Sequence, residues 1–140
     1  MEADMKREDC LKQELSRILG EYESLRDVMT NHGLAALGDS FVNFVYSLTL
    51  SIRYGEPRGG KVTGRILSES LARADLRRYL PSRVNRHFRA DAAEALMVYA
   101  WIKGAFSIRK AVEELSAHED LCEGFAELLA RAKECLEKPS

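Results

Sequence analysis

Phe88 to Gly104 reads FRADAAEALMVYAWIKG, a stretch whose apolar residues fall on nearly every side of a helix. Ala92, Ala95, Leu96, Met97, Tyr99, Trp101 and Ile102 leave little of its circumference for water, and a helix of that kind is normally buried inside a domain. Two acids interrupt it. Asp91 and Glu94 stand three residues apart and so share a helix face. Buried carboxylates are costly unless they are paired or hold a metal, which makes a hard-metal site the expectation for this pair.

The chain of 140 residues is one domain by size, long enough for a core without disulfides or a structural metal. No uninterrupted apolar run approaches the roughly 18 residues of a membrane span, so no membrane partner is expected. The charged opening MEADMKRED lacks the apolar segment of a signal peptide. Cys10, Cys122 and Cys135 show no CxxC pair, which fits reduced thiols in a cytoplasmic protein. The net charge of -1 is unevenly spread: -4 over 1–52, +7 over 53–89 and -4 over 90–140. A middle segment so basic suggests a surface facing a polyanion, the alternative being solvated arginine-rich helix faces.

Helical spacing recurs along the whole chain. Leu11, Leu15, Ile18, Tyr22, Leu25 and Met29 alternate steps of four and three, predicting one amphipathic helix over 5–31, with Gly33 suited to its C-cap. Gly33 to Gly55 reads as one helix or two short ones, and Asp39 is its only charged residue before Arg53. Asp39 is either an N-cap or a buried ligand that must meet another charge. GEPRGGKVTG, 55–64, is a polar loop; it resembles the start of a phosphate-binding loop, but Val62 stands where such a loop needs Ser or Thr. Thr63 or Gly64 to Leu80 predicts a further helix that Pro81 stops, and two amphipathic helices are expected over 107–116 and 119–136. There is no strand alternation and no repeat, so the fold class is all-α.

Asp39, Asp91 and Glu94 are thus three acids in apolar helical surroundings. With oxygen ligands and no His/Cys cluster, the matching ion is Mg2+ or Mn2+ rather than zinc. Such an ion can activate water and stabilise a leaving oxygen in phosphodiester hydrolysis. A basic segment beside the acids suits that chemistry.

Those residues resemble a known family. LGDSFVNF, 37–44, is similar to the signature helix of the ribonuclease III family. ADAAEALMVYAWIKG, 90–104, is similar to its second acidic motif, D-x-x-E-A-L followed by apolar residues and a glycine. The sequence between them, GRILSESLARADLRRYLP, resembles the helix that those proteins place between the motifs. The resemblance covers about 33–104 and implies a helical bundle of the endonuclease-domain type, forming a homodimer and cleaving double-stranded or structured RNA with magnesium. Carried over residue by residue, Asp39, Asp91 and Glu94 fall on the family's catalytic and metal-binding acids. Lys61, Arg65, Arg83, Arg86 and Arg89 are candidates for RNA contact, suited to a duplex read by shape, phosphate and 2′-hydroxyls.

Two departures stand out. The longer members carry a Glu four residues before the signature Asp, where this chain has Ala35, and a large side chain at the next position, where it has Ala36. The compact relatives known as Mini-III also lack that Glu and are active. The given residues leave no room for a separate double-stranded-RNA-binding domain, so the RNA grip is expected from this domain or its dimer. The expected function is a magnesium-dependent endonuclease, a hydrolase of RNA processing. The alternative is a non-catalytic dimeric RNA-binding or ribosome-associated protein of the same fold, and a purely structural helical protein would leave the acids unexplained.

Overall fold

The computed structural model describes residues 2–137, with side chains from Arg7 onward, and among them it contains helices and no strand. Seven α-helices follow one another: α1 Glu2–Leu19, α2 Leu25–Met29, α3 His32–Tyr54, α4 Gly64–Arg73, α5 Arg86–Ile102, α6 Ile108–Ala117 and α7 Leu121–Glu137. The fold is the all-α bundle that the periodicity predicts. At its centre α5 packs against α1, α2, α3, α4 and α7, while α6 closes the remaining side against α3 and α7.

Small residues make this possible. Ala92, Ala93, Ala95 and Ala100 of α5 are wholly buried, so neighbouring helices approach its backbone on several sides. The closest approach is to α3, where a Cβ on Gly38 would overlap the Glu94 carbonyl. Helix α5 starts where the Asn85 side chain accepts the Phe88 N–H at 2.8 Å, relieving one of the donors that a helix start leaves unpaired. It ends at Ile102, and the turn that follows passes through Gly104, whose φ of 84° is a left-handed conformation that glycine adopts without strain.

Four local expectations are corrected. The single helix over 5–31 is two, because Gly20 turns left-handed (φ 78°) and Ser24 caps a fresh start by accepting the Asp27 N–H. Gly33 does not end a helix; Asn31 begins one, its Oδ1 accepting the Leu34 N–H at 2.9 Å, and Gly33 lies inside α3. Asp39 is therefore mid-helix and not an N-cap. The helix expected to run to Leu80 stops at Arg73, where Asp75 takes φ 58° and a 3-10 turn over Arg77–Tyr79 carries the chain to Pro81. Apolar spacing continued through that turn because Leu76 and Leu80 are still core residues.

The core also extends past 104. Phe125, Leu128, Leu129 and Ala132 of α7 and Leu115 of α6 are fully buried, and Arg73 of α4 reaches Asp120 at 2.8 Å across the α7 start. Helix α1 is more lightly held. Leu11 and Ile18 remain 53% and 70% exposed, and Lys12 lies over the Trp101 ring at 5.2 Å.

By length and composition α3 could cross a membrane, with a mean hydropathy of 1.2 over its most apolar window. Its apolar side chains have other uses. Leu34, Val42 and Val45 are wholly buried in the bundle, and its polar residues Asn43, Ser47 and Ser51 bind the following loop.

Candidate active site

The close crossing of α3 and α5 determines which acids meet. Gly38 lies against the Glu94 backbone, and the next residue, Asp39, shares a side-chain hydrogen bond with Glu94. Asp91, nearly one turn earlier on α5, adds its charge to the same carboxyl. All three line one cleft of about 510 Å3, together with Ala35 and Ala36 of α3, His32, His87, and Lys61 and Val62 of the loop. The two motifs, about fifty residues apart in the chain, are thus brought to one wall-and-floor arrangement by the absence of a side chain at 38.

The three carboxylates are not equally buried. Glu94 is 7% exposed, whereas Asp91 keeps 39% of its side chain accessible and Asp39 is exposed. Burial pushes the Glu94 carboxyl up to about 8, helped by the hydrogen bond with Asp39 and by the Asp39 and Asp91 charges, with Lys61 offsetting part of the effect. Both causes act against the charged form. Without a counter-ion the Glu94 carboxyl therefore favours its neutral form. The expectation of two buried acids on α5 reduces to one, because Asp91 faces the open side of the cleft beside His87, 3.8 Å away.

The donor set fits a hard divalent cation. It is made of carboxylate oxygens, it opens to solvent on one side, and its deepest member is disfavoured as an anion by burial first and by its acidic neighbours second, which a cation would offset. Glu94 and Asp39 form the paired part of the set, and Asp91 lies on the same cleft. Among the described residues no three His, Cys, Asp or Glu side chains are already disposed as a ligand shell, so an ion shared by all three acids requires side-chain rotation within the cleft. Ala35, one turn before Asp39, lines the cleft where a longer acid would reach the same space.

The basic candidates separate. Lys61 lines the acid cleft. Arg65 and Arg86 are exposed on the first turns of α4 and α5 and are not among its lining residues. Arg83 and Arg89 line a different groove with Arg77 and Arg78. Arg89 is already engaged, its Nε donating to Ser68 Oγ at 3.0 Å and its Nη1 to the Val84 carbonyl at 2.9 Å, so it ties the segment before α5 to α4.

A family model described as Ribonuclease III matches residues 32–137. That span covers more than half of the chain and contains both acidic motifs and the buried faces of α6 and α7. The chain belongs to the ribonuclease III family. Among curated proteins, none matches it in sequence. The family match begins at α3 and leaves α1 and α2 outside, and it reaches well beyond the 33–104 core that the motifs alone delimit. In this ribonuclease III domain the sequence reasoning missed Gly38 and Asn43. Both flank or follow Asp39 at telling positions: Gly38 adjoins it, and Asn43 lies four residues on, where its Nδ2 donates to Asp39 Oδ1 at 3.3 Å.

Proposed function

We propose that this domain is a magnesium-dependent endoribonuclease that cleaves double-stranded or structured RNA by adding water to a phosphodiester. The observation that carries the reading is the convergence of Asp39 and Glu94 across α3 and α5, in a cleft also lined by Asp91 and Lys61. When bound there, Mg2+ or Mn2+ would supply Lewis-acid polarisation of the phosphoryl oxygens and a more acidic water. Glu94, Asp39 and Asp91 would hold that charge, Glu94 as its carboxylate. Lys61 lines the same cleft and meets the phosphate as a mobile point charge. The exposed Arg83 and Arg86 extend a cationic surface toward the 2′-hydroxyl and phosphate edge of a duplex.

The proposed assembly is a homodimer in a cytoplasmic, reducing setting, in keeping with three free cysteines. Leu37 and Phe44, seven residues apart on one side of α3, are 40% and 55% exposed, and the bundle leaves that side uncovered. Apolar stripes of this kind mark association surfaces, and a second copy covers it with its own. Phe44→Glu should convert the dimer to monomer in light scattering; a wild type already monomeric at high concentration removes the proposal.

The deciding experiment incubates the protein with a long RNA duplex, with and without Mg2+. Discrete products only with the ion support the nuclease. RNA binding with steep salt dependence and no products would instead establish the non-catalytic binder suggested by Ala35.

A further inference from the structure

Helix α3 carries a series of polar side chains that the acid cleft does not use directly. Asn43, Ser47 and Ser51 repeat every four residues, a rise of about 6 Å per step in a helix. An extended chain covers nearly that distance in two residues, at about 3.3 Å each. The loop after α3 uses this match. The Arg58 N–H donates to Ser51 Oγ, the Gly60 N–H to Ser47 Oγ and the Val62 N–H to Asn43 Oδ1, each at 2.9 Å. Every second amide of the segment is received by the next rung of the helix as the chain runs back along it.

The rungs are themselves oriented. Ser47 Oγ donates to the Asn43 carbonyl at 2.7 Å and Ser51 Oγ to the Ser47 carbonyl at 2.9 Å, leaving each hydroxyl oxygen free to accept. Gly60 lets the segment lie flat, because a Cβ there would come within 2.6 Å of Leu50 Cδ1 and 2.9 Å of Tyr46 Cε2. The first rung has a second partner: Asn43 Nδ2 donates to Asp39 Oδ1 at 3.3 Å while its Oδ1 holds Val62. One planar amide is therefore fixed at both ends.

We propose that Asn43 is a positioning residue of the acid site, registering the Asp39 carboxylate against the segment that carries Lys61. Lys61 lies between two anchored residues, so the root of its flexible side chain is set by the rungs at Ser47 and Asn43. Asp39 is exposed, and the Asn43 donor selects its orientation with a neutral group that does not compete with a cation for charge. The amide thus fixes the separation between the anionic cluster and the cation facing it. The catalytic consequence rests on the nuclease reading above; the ladder itself does not.

Two kinds of measurement test this on the full chain. Hydrogen exchange read by NMR should find the Val62 and Gly60 amides protected in wild type. Asn43→Ala should lose protection at Val62, Ser47→Ala at Gly60, and Asn43→Asp should keep Val62 protected because its carboxylate accepts the same N–H. In calorimetry Asn43→Ala should weaken Mn2+ binding several-fold. In cleavage assays it should lower kcat about ten- to a hundredfold, as expected of a misplacement near 1 Å, with KM little changed. Adding Asn43→Ala to Lys61→Met should then cost little more than Lys61→Met alone, since coupled residues are non-additive. Unprotected Val62 in wild type, or full additivity of the two substitutions, would overturn the positioning role. A wild type that binds no Mn2+ and cuts no RNA sinks the nuclease reading, while the exchange pattern still decides the ladder.

Discussion

Glu94→Ala is expected to abolish Mg2+-dependent cleavage of an RNA duplex, by roughly three orders of magnitude or more, while the protein stays folded. Lewis-acid stabilisation supplies several kcal/mol at such sites, and each ~1.4 kcal/mol is tenfold in rate. Glu94 is the deepest of the acids and its carboxyl is disfavoured as an anion, so removing it deletes a proposed ligand without deleting a stabilising ion pair. A pH signature accompanies the loss. The carboxyl ordinarily titrates at 4.5 and in the folded protein at about 8, so the native state binds the proton more tightly than the unfolded chain. Its contribution to stability is complete below pH 4.5 and disappears as the pH rises through about 8. The melting temperature of ion-free wild type should therefore fall across that window, and Glu94→Ala should flatten the fall. Added Mg2+ should restore the wild type at the alkaline end by mass action and leave the variant unmoved. Equal cutting by variant and wild type, or melting curves with the same pH dependence, would show that Glu94 has neither role.

Gly38→Ala is expected to cost about 3 kcal/mol or more of folding stability, toward the upper end of what overpacking imposes. The added methyl falls on the Glu94 carbonyl, which is backbone inside a helix and cannot rotate away. Either α3 and α5 separate or the variant fails to fold. In the first case Asp39 moves off Glu94, so any folded population should lose Mn2+ affinity along with stability. Denaturant titration and calorimetry on the same sample check both effects. A variant with wild-type stability and ion binding would mean that the two helices do not cross as closely as described.

The legible part of the fold was what periodicity carries. Leu34, Val42, Leu67, Leu96, Leu115 and Phe125 are core because apolar spacing near 3.6 residues has no other stable use in a chain of this size. Helix boundaries were less legible where spacing persisted across a break. Leu15, Tyr22 and Met29 keep their intervals through the Gly20 turn, and Leu76 and Leu80 through the turn at Asp75. In the cleft, a carboxylate amid apolar residues is conspicuous in the sequence, which is why Asp39, Asp91 and Glu94 could be singled out as candidates. Gly38 and Asn43 were not, because their roles exist only after α5 and the loop have come alongside. The +7 segment shows charge without direction, and only the fold separates Lys61 in the cleft from Arg83 and Arg89 in another groove.

Helix α3 presents four differently occupied stripes at once: Leu34, Val42 and Val45 inward, Asp39 to the acids, Asn43, Ser47 and Ser51 to the loop, and Leu37 and Phe44 outward. Each residue turns the helix by about 100°, so one residue inserted or deleted early in α3 would rotate every later side chain onto its neighbour's task. The core would receive polar groups, the loop would lose its partners and the outer stripe would turn inward together. Length change, which surface connections generally accommodate, is for this helix an alteration that no compensating substitution at a single position can repair.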